Sequence, residues 1–121
     1  MCQAQYDTLD IETRFGFPIE HTPNTQPKFP GGVDGFKKFV AHNLKYPTIS
    51  KEMGVQGKVF VEFVIDRFGN VQVPKVVRGV ETYVDKESIR LIRSLPKWQP
   101  GTKNGKPVNT RMLIPITFRL L

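Results

Sequence analysis

The predicted fold is built around one stretch near the C-terminus, Val108-Asn109-Thr110-Arg111-Met112-Leu113-Ile114-Pro115-Ile116-Thr117-Phe118-Arg119-Leu120. Its even positions are apolar apart from Thr110, and its odd positions are mostly polar. This period of two predicts a β-strand with one face on a core and one face largely in water. Pro115 indicates an edge strand, because proline has no N–H to donate within a sheet. A long, mostly apolar edge strand offers unpaired backbone groups to another extended chain.

A second stretch, Lys58 to Asp66, is uniformly apolar at its odd positions and mixed at its even positions, which predicts a more central strand. Arg67-Phe68-Gly69-Asn70 follows it and is typical of a hairpin turn, because glycine and asparagine both tolerate positive φ. The returning strand, Val71 to Arg78, changes phase across Pro74, and a β-bulge is the simplest account of that change.

Two amphipathic helices complete the pattern. Asp34 is expected to cap the first, which ends near Asn43 ahead of a Tyr-Pro pair, and Asp85 is expected to cap the second, which Pro96 ends. A short helical turn is predicted from Thr48 to Met53. The apolar positions at helical spacing are Phe36, Phe39, Val40 and Leu44 in the first helix and Ile89, Leu91, Ile92 and Leu95 in the second.

The order helix, short helix, strand, strand, helix, strand predicts an α+β domain. Its sheet has three antiparallel strands in the order 2-1-3, with the two main helices packed on one face. We expect Trp98 to close one end of the core and Asn104-Gly105 to turn the chain into the last strand. The predicted domain covers residues 29–121, and residues 1–28 are predicted to be a flexible linker or tail.

The net charge is +7 and the pI is near 9.8. That charge leaves nucleic acid, an anionic membrane surface and acidic partners open, but the basic residues are scattered, which favours a solvated basic surface over nucleic-acid binding. Cys2 is the only cysteine, so no internal disulfide forms. It is either the remnant of a lipoprotein acylation site or a stray cysteine in the tail. No apolar run reaches the ~18 residues of a membrane span.

Six segments follow one another along the chain: Phe29-Pro30-Gly31-Gly32, Asn43-Leu44-Lys45-Tyr46-Pro47, Gly57-Lys58-Val59-Phe60-Val61-Glu62-Phe63-Val64-Ile65-Asp66, Leu95-Pro96-Lys97-Trp98-Gln99-Pro100-Gly101, Asn104-Gly105-Lys106-Pro107-Val108 and Leu113-Ile114-Pro115-Ile116-Thr117-Phe118. Together they resemble the C-terminal domain of the TonB energy-transducer family, in the form common in Bacteroidetes, over about residues 29–121.

The resemblance implies a periplasmic domain that couples proton-motive energy at the inner membrane to active transport across the outer membrane. The implied partners are a TonB-dependent outer-membrane transporter and, in a full-length transducer, the inner-membrane proton-channel subunits. In the family, the domain binds a short extended segment of the transporter, the TonB box, as a strand added beside its last strand. A Tyr-Pro region nearby helps to hold that peptide.

Carried over to this chain, the resemblance assigns peptide binding to the last strand and to the Tyr-Pro region. Asn43 stands where some relatives have glutamine, so an amide is kept. The assigned residues are Asn43, Lys45, Tyr46, Pro47, Arg111, Met112, Leu113, Ile114, Pro115, Ile116, Thr117 and Phe118. This prediction requires that the outer edge of the last strand is not already occupied by the N-terminal tail or by another internal segment.

The family's transmembrane anchor and Pro-rich spacer do not occur in this sequence. The protein is therefore expected to be either part of a longer, inner-membrane-anchored transducer or a stand-alone exported form. A stand-alone structural or assembly protein, homodimerising through the same edge strand, is the alternative to peptide binding.

Little in the sequence points to catalysis. His21 and His42 have no partner at metal-ligand spacing, and no serine stands in a nucleophile context. A carboxylate pair drawn from Asp66, Asp85 and Glu87 is better explained by a turn for Asp66 and a helix cap for Asp85. We therefore predict a non-enzymatic protein without cofactor or metal.

Overall fold

The computed structural model describes residues 19–120. Cys2 and the larger part of the predicted tail, residues 1–18, lie outside the described residues. Within residues 19–120, no helix has the length and hydrophobicity that a membrane span requires.

The described chain forms three helices and five strands: α1 (Gly32–Asn43), α2 (Thr48–Glu52), β1 (Gly57–Ile65), β2 (Val71–Arg78), α3 (Thr82–Arg93), β3 (Gly101–Lys103), β4 (Lys106–Val108) and β5 (Thr110–Phe118). The main sheet is antiparallel in the order β2-β1-β5. This confirms the predicted α+β fold, its strand order and the edge position of β5. Asn104 and Gly105, both at positive φ, turn a separate two-stranded hairpin, β3-β4, so Val108 ends β4 and does not begin the last strand as predicted.

The core lies between the sheet and the helices. The odd positions of β1 from Val59 to Ile65 are fully buried, as the period of two predicted, and they pack with α3 and with the even positions of β5. The fully buried residues of this layer are Val59, Val61, Phe63, Ile65, Val84, Leu91, Ile92, Ile116 and Phe118. Burying a large apolar side chain contributes about 1.5–3 kcal/mol, so this layer holds most of the stability.

Trp98 closes one end of the core, as predicted, with 6% of its surface exposed. Its ring makes edge contacts with Phe29 at 5.4 Å and with Phe63 at 6.0 Å between centroids. The ring of Phe29 in turn contacts Phe36 of α1 at 5.3 Å, so the helix is joined to the sheet through a chain of aromatic edges.

The predicted bulge in β2 is confirmed. Lys75 pairs with Glu62 and Gln72 pairs with Val64, so two residues of β2 lie opposite the single residue Phe63 of β1. One of the two is Val73, which adopts a φ of 42°. The bulge absorbs Pro74, whose missing N–H would otherwise interrupt the ladder.

Both predicted helix caps are wrong. The Gly31-Gly32 turn starts α1 two residues before Asp34, which lies in the first helical turn, and no side chain caps the helix. At α3 the cap is Glu81, whose carboxylate accepts hydrogen bonds from the N–H groups of Tyr83 and Val84 at 3.0 and 3.1 Å. Asp85 instead accepts a hydrogen bond from the Val80 N–H at 2.9 Å. Glutamate is not among the residues favoured at a cap, so propensity pointed to the aspartate.

The Glu81 cap gives a pH-dependent contribution to stability. The hydrogen bond from the Tyr83 N–H, with those from Ser50 and Val84, holds the pKa of the Glu81 carboxyl below its ordinary value. The contribution is therefore fully present above the pKa of the unfolded chain, about 4.3, and is lost as pH falls through the lower folded pKa.

We expect Glu81→Gln to lower the urea midpoint at neutral pH, and the gap to wild type to close as the pH falls below about 4. Glu52→Gln, an exposed substitution in α2, is the control. An equal pH response in both variants would contradict the cap.

Candidate functional site

The outer edge of β5 is set by its register on β1. The two strands pair continuously from Gly57 opposite Phe118 to Ile65 opposite Thr110, and β2 lies on the other side of β1. β5 therefore has one side in the ladder and one side facing away from the sheet.

The direction of each backbone group along β5 follows from Pro115. Pro115 lies opposite Phe60 and has no N–H, which places it at a position whose backbone groups point away from β1. In an antiparallel ladder the direction alternates with each residue, so the odd positions of β5 point outward. The carbonyl oxygen of Asn109 confirms this parity, because it accepts a hydrogen bond at 2.9 Å from outside the sheet, donated by the Glu20 N–H.

Within residues 19–120, no strand pairs with the outward row from Leu113 to Thr117. Leu113 and Thr117 each present an N–H and a carbonyl oxygen, and Pro115 presents a carbonyl oxygen only. No residue between 19 and 120 hydrogen-bonds to these outward groups. The segment that comes closest is residues 19–28, which touches β5 at its first residue, where Glu20 lies opposite Thr110 in parallel register.

The side chains of β5 divide between the two faces of the sheet. Met112, Ile114, Ile116 and Phe118 belong to the core or pack against it, so four of the predicted peptide-binding residues support the strand rather than face its outer edge. On the helix-free face, Leu113 is 40% exposed. Arg111 lies on the same face, with its Nε 3.6 Å from the carboxylate of Glu62, which is 3% exposed.

Tyr46 is brought to β5 by a contact with the strand's last residue. Its ring packs edge-on against Phe118 with centroids 5.4 Å apart, and its hydroxyl donates a hydrogen bond to the carbonyl oxygen of Val55. Pro47 then starts α2 as its N-terminal flanking residue. The Tyr-Pro region therefore sits at the C-terminal end of β5.

Asn43 and Lys45 are anchored to α3. The Asn43 side-chain amide donates to the Phe39 carbonyl oxygen at 2.8 Å, and the main-chain carbonyl oxygen of Asn43 accepts from the Arg90 guanidinium at 2.8 Å. The Lys45 N–H donates to the carboxylate of Glu87 at 2.6 Å. Glu87 also accepts two hydrogen bonds from Arg90, which raise the pKa of that guanidinium above its ordinary value. Sequence reasoning missed this Glu87–Arg90 pair, although its i,i+3 spacing on a helix was readable.

A cleft of about 250 Å³ opens where residues 19–28 meet the start of β5. Its lining residues are Glu20, His21, Pro23, Gln26, Thr110 and Arg111. No sequence pattern indicated it, because its two walls are about 90 positions apart in the chain.

The side chains considered for catalysis have structural partners. The Asp66 carboxylate accepts hydrogen bonds from the Phe68 and Asn70 N–H groups at 2.9 Å each, which confirms its predicted role in the hairpin turn. The ring of His42 hydrogen-bonds to the Lys38 carbonyl oxygen within α1 at 2.9 Å. Across residues 19–120, no group of three or more His, Cys, Asp or Glu side chains is arranged to hold a metal ion.

The sequence model of the Gram-negative bacterial TonB protein C-terminal family matches residues 42–120. The chain is similar to two NMR structures, of a longer and a shorter form of the Helicobacter pylori TonB C-terminal domain. The longer shares 23% identity at a TM-score of 0.55, with 76% of this chain and 87% of that chain covered. The shorter shares 23% identity at a TM-score of 0.53, with 71% and 90% covered. At this identity the two structures support the fold. No curated protein matches the chain.

Proposed function

This chain belongs to the family of Gram-negative bacterial TonB C-terminal domains, and from that premise we propose that it binds an extended transporter segment along the edge of β5. Domains of this family are periplasmic, are not enzymes, and transmit energy to outer-membrane transporters. Strand addition, the residues that bind and anchoring at the inner membrane belong to the proposal. The assignment to the Bacteroidetes form stays a prediction.

The observation that carries the proposal is the outward row of backbone groups on Leu113, Pro115 and Thr117. A guest strand would satisfy up to five of them, two on each flanking residue and one on the proline. A net hydrogen bond contributes about 0.5–1.5 kcal/mol, whereas micromolar affinity requires about 8 kcal/mol after ordering of the peptide. The main chain therefore supplies alignment, and side-chain contacts must supply the remainder of the affinity.

Those contacts are proposed at two surfaces. On the helix-free face, a guest residue beside Leu113 meets its exposed side chain. At the other end, a guest that passes Thr117 reaches the neighbourhood of Tyr46, whose ring packs against Phe118 and which follows the exposed Lys45 in the chain. The net charge of +7 favours a guest with acidic residues, and this part of the affinity should weaken as salt is added.

A titration followed by NMR tests the binding surface. We expect a synthetic N-terminal peptide of an outer-membrane transporter, chosen with acidic residues, to shift amide signals mainly within residues 43–47 and 109–119. Shifts concentrated elsewhere would contradict the proposal.

Backbone methylation of the same peptide tests the binding mode. In strand addition only alternate peptide N–H groups face β5. N-methylation of one alternate set should therefore abolish binding, and methylation of the other set should leave it nearly unchanged. Equal effects of both sets would rule strand addition out.

The same open edge also suits a second copy of the chain. Sedimentation at low micromolar concentration separates the two functions. A dimer that the peptide dissociates is compatible with peptide binding, whereas a dimer that persists at saturating peptide favours an assembly role.

A further inference from the structure

Residues 19–28, here called the strap, run along two parts of the fold. Glu20 lies opposite Thr110 at the start of β5, Thr25 opposite Thr102 in β3, and Lys28 opposite Gln99. The last of these pairings is reciprocal, with the two N–H to carbonyl distances at 2.9 and 2.8 Å. The strap is therefore held firmly at its C-terminal end, and its N-terminal end reaches the open edge.

At that N-terminal end, side chains as well as the backbone hold the strap. Ile19 is 4% exposed and packs against Val64, which is fully buried. Lys103 Nζ donates to the Thr22 carbonyl oxygen at 3.0 Å and lies 3.4 Å from the carboxylate of Glu20. Both partners of this ion pair are partly exposed, which makes it a weak tether.

The parallel register determines which outward backbone groups of β5 the strap covers. A residue in a parallel bridge lies between the backbone groups on either side of its partner, so Glu20 opposite Thr110 faces the outward groups of Asn109 and Arg111. The strap then leaves β5, and the cleft of about 250 Å³ marks the point where it diverges. From Leu113 to Thr117, no described residue hydrogen-bonds to the outward backbone groups of β5.

We propose that the strap is an intramolecular competitor for the first part of the β5 edge. It confines a docked peptide to the row from Leu113 to Thr117, and a longer peptide must displace it to reach Asn109. This inference rests on the proposed function, because it concerns the same edge. The strap thereby fixes the register and the length of the segment that the domain accepts.

Two synthetic peptides with a common core test the strap. The short peptide is just long enough to pair with β5 from Leu113 to Thr117. The long peptide adds residues that would pair as far as Asn109. In the wild-type protein, we expect the long peptide to shift the amide signals of Glu20, Thr22 and Asn24, and the short peptide to leave them unchanged. A long peptide that binds without moving those three signals would overturn the inference.

The matched variants are Lys103→Met, which removes the tether, and Lys106→Met, which removes an equal charge from an exposed site on β4. Loosening the strap should tighten binding of the long peptide up to about fivefold, with the short peptide unaffected. Lys106→Met should leave the ratio of the two affinities unchanged. An unchanged ratio in Lys103→Met overturns the strap inference alone, whereas failure of both peptides to bind any form overturns peptide binding itself.

Discussion

We expect Ile114→Pro to unfold the domain and Leu113→Pro to leave it folded but poor at binding peptide. Ile114 lies opposite Val61, and its position in the ladder turns its N–H toward β1. Proline there removes that hydrogen bond and leaves a buried carbonyl oxygen unpaired, which costs about 1–3 kcal/mol. Ile114 packs against the core but is only partly buried, so loss of its side chain adds about 2 kcal/mol, the lower end of the range for core isoleucines. The sum approaches the lower end of the stability of a small domain, about 5–15 kcal/mol.

Leu113 has the opposite parity. Its N–H points outward, as the N–H of Pro115 would if it had one, so the strand already tolerates proline at an equivalent position. The substitution removes one of the outward groups and the exposed leucine side chain. A guest carbonyl left without its donor costs about 1–3 kcal/mol, so peptide affinity should fall roughly tenfold or more.

Circular dichroism melting measures whether each of the two variants remains folded, and peptide titration measures its affinity for the peptide. Thr117→Pro, at another outward position, should also remain folded. If Leu113→Pro unfolds while Ile114→Pro keeps the fold, the outward parity is reversed and the proposed binding row is wrong.

The part of this fold that sequence reasoning predicted depends on local rules. The period of two in β5 and the missing N–H of Pro115 together placed the strand at an edge, and the same rules identified the bulge at Pro74. The burial of Trp98 followed from its size and its position between helix and strand. These features depend on a residue and its immediate neighbours, so no knowledge of distant contacts was needed.

Features that depend on distant contacts were missed. Glu81 caps α3 while also accepting a hydrogen bond from Ser50 Oγ at 2.7 Å, a contact 31 positions away that no helix pattern predicts. The even positions of β1 were read as mixed, yet Glu62 is 3% exposed and Val64 fully buried. In the case of Val64 the cover includes Ile19, which belongs to the predicted tail. The domain boundary at residue 29 stays a prediction, although residues 19–28 lie against the sheet.

In the candidate site, too, some features were predicted from the sequence and others depend on distant contacts. The resemblance grouped the Tyr-Pro region with the last strand, and the structure brings Tyr46 to Phe118. It cannot be read from the sequence that Asn43 and Lys45 are tied by hydrogen bonds to α3, because their partners lie more than 40 positions away. How far each residue contacts a guest peptide stays a prediction for the titration.

The second large effect is expected for Gly69→Ala, in the hairpin turn between β1 and β2. Gly69 has a φ of 89°, and a Cβ there would lie 2.1 Å from the carbonyl oxygen of Trp98. The two residues are also joined by a hydrogen bond from the Trp98 N–H to the Gly69 carbonyl oxygen at 2.9 Å. Neither backbone can move without separating the turn from the residue that closes the core.

Gly54→Ala supplies the matched control. Gly54 has a φ of 71°, but a Cβ there meets nothing within 4 Å, so this variant carries the strain of positive φ without a clash. That strain costs about 1–2 kcal/mol, and a buried clash adds about 1–3 kcal/mol or more. With about 4–8 °C lost per kcal/mol, Gly69→Ala should melt at least ~5 °C below Gly54→Ala. Equal melting temperatures would show that the turn yields freely, and that Trp98 is not fixed by its contact with Gly69.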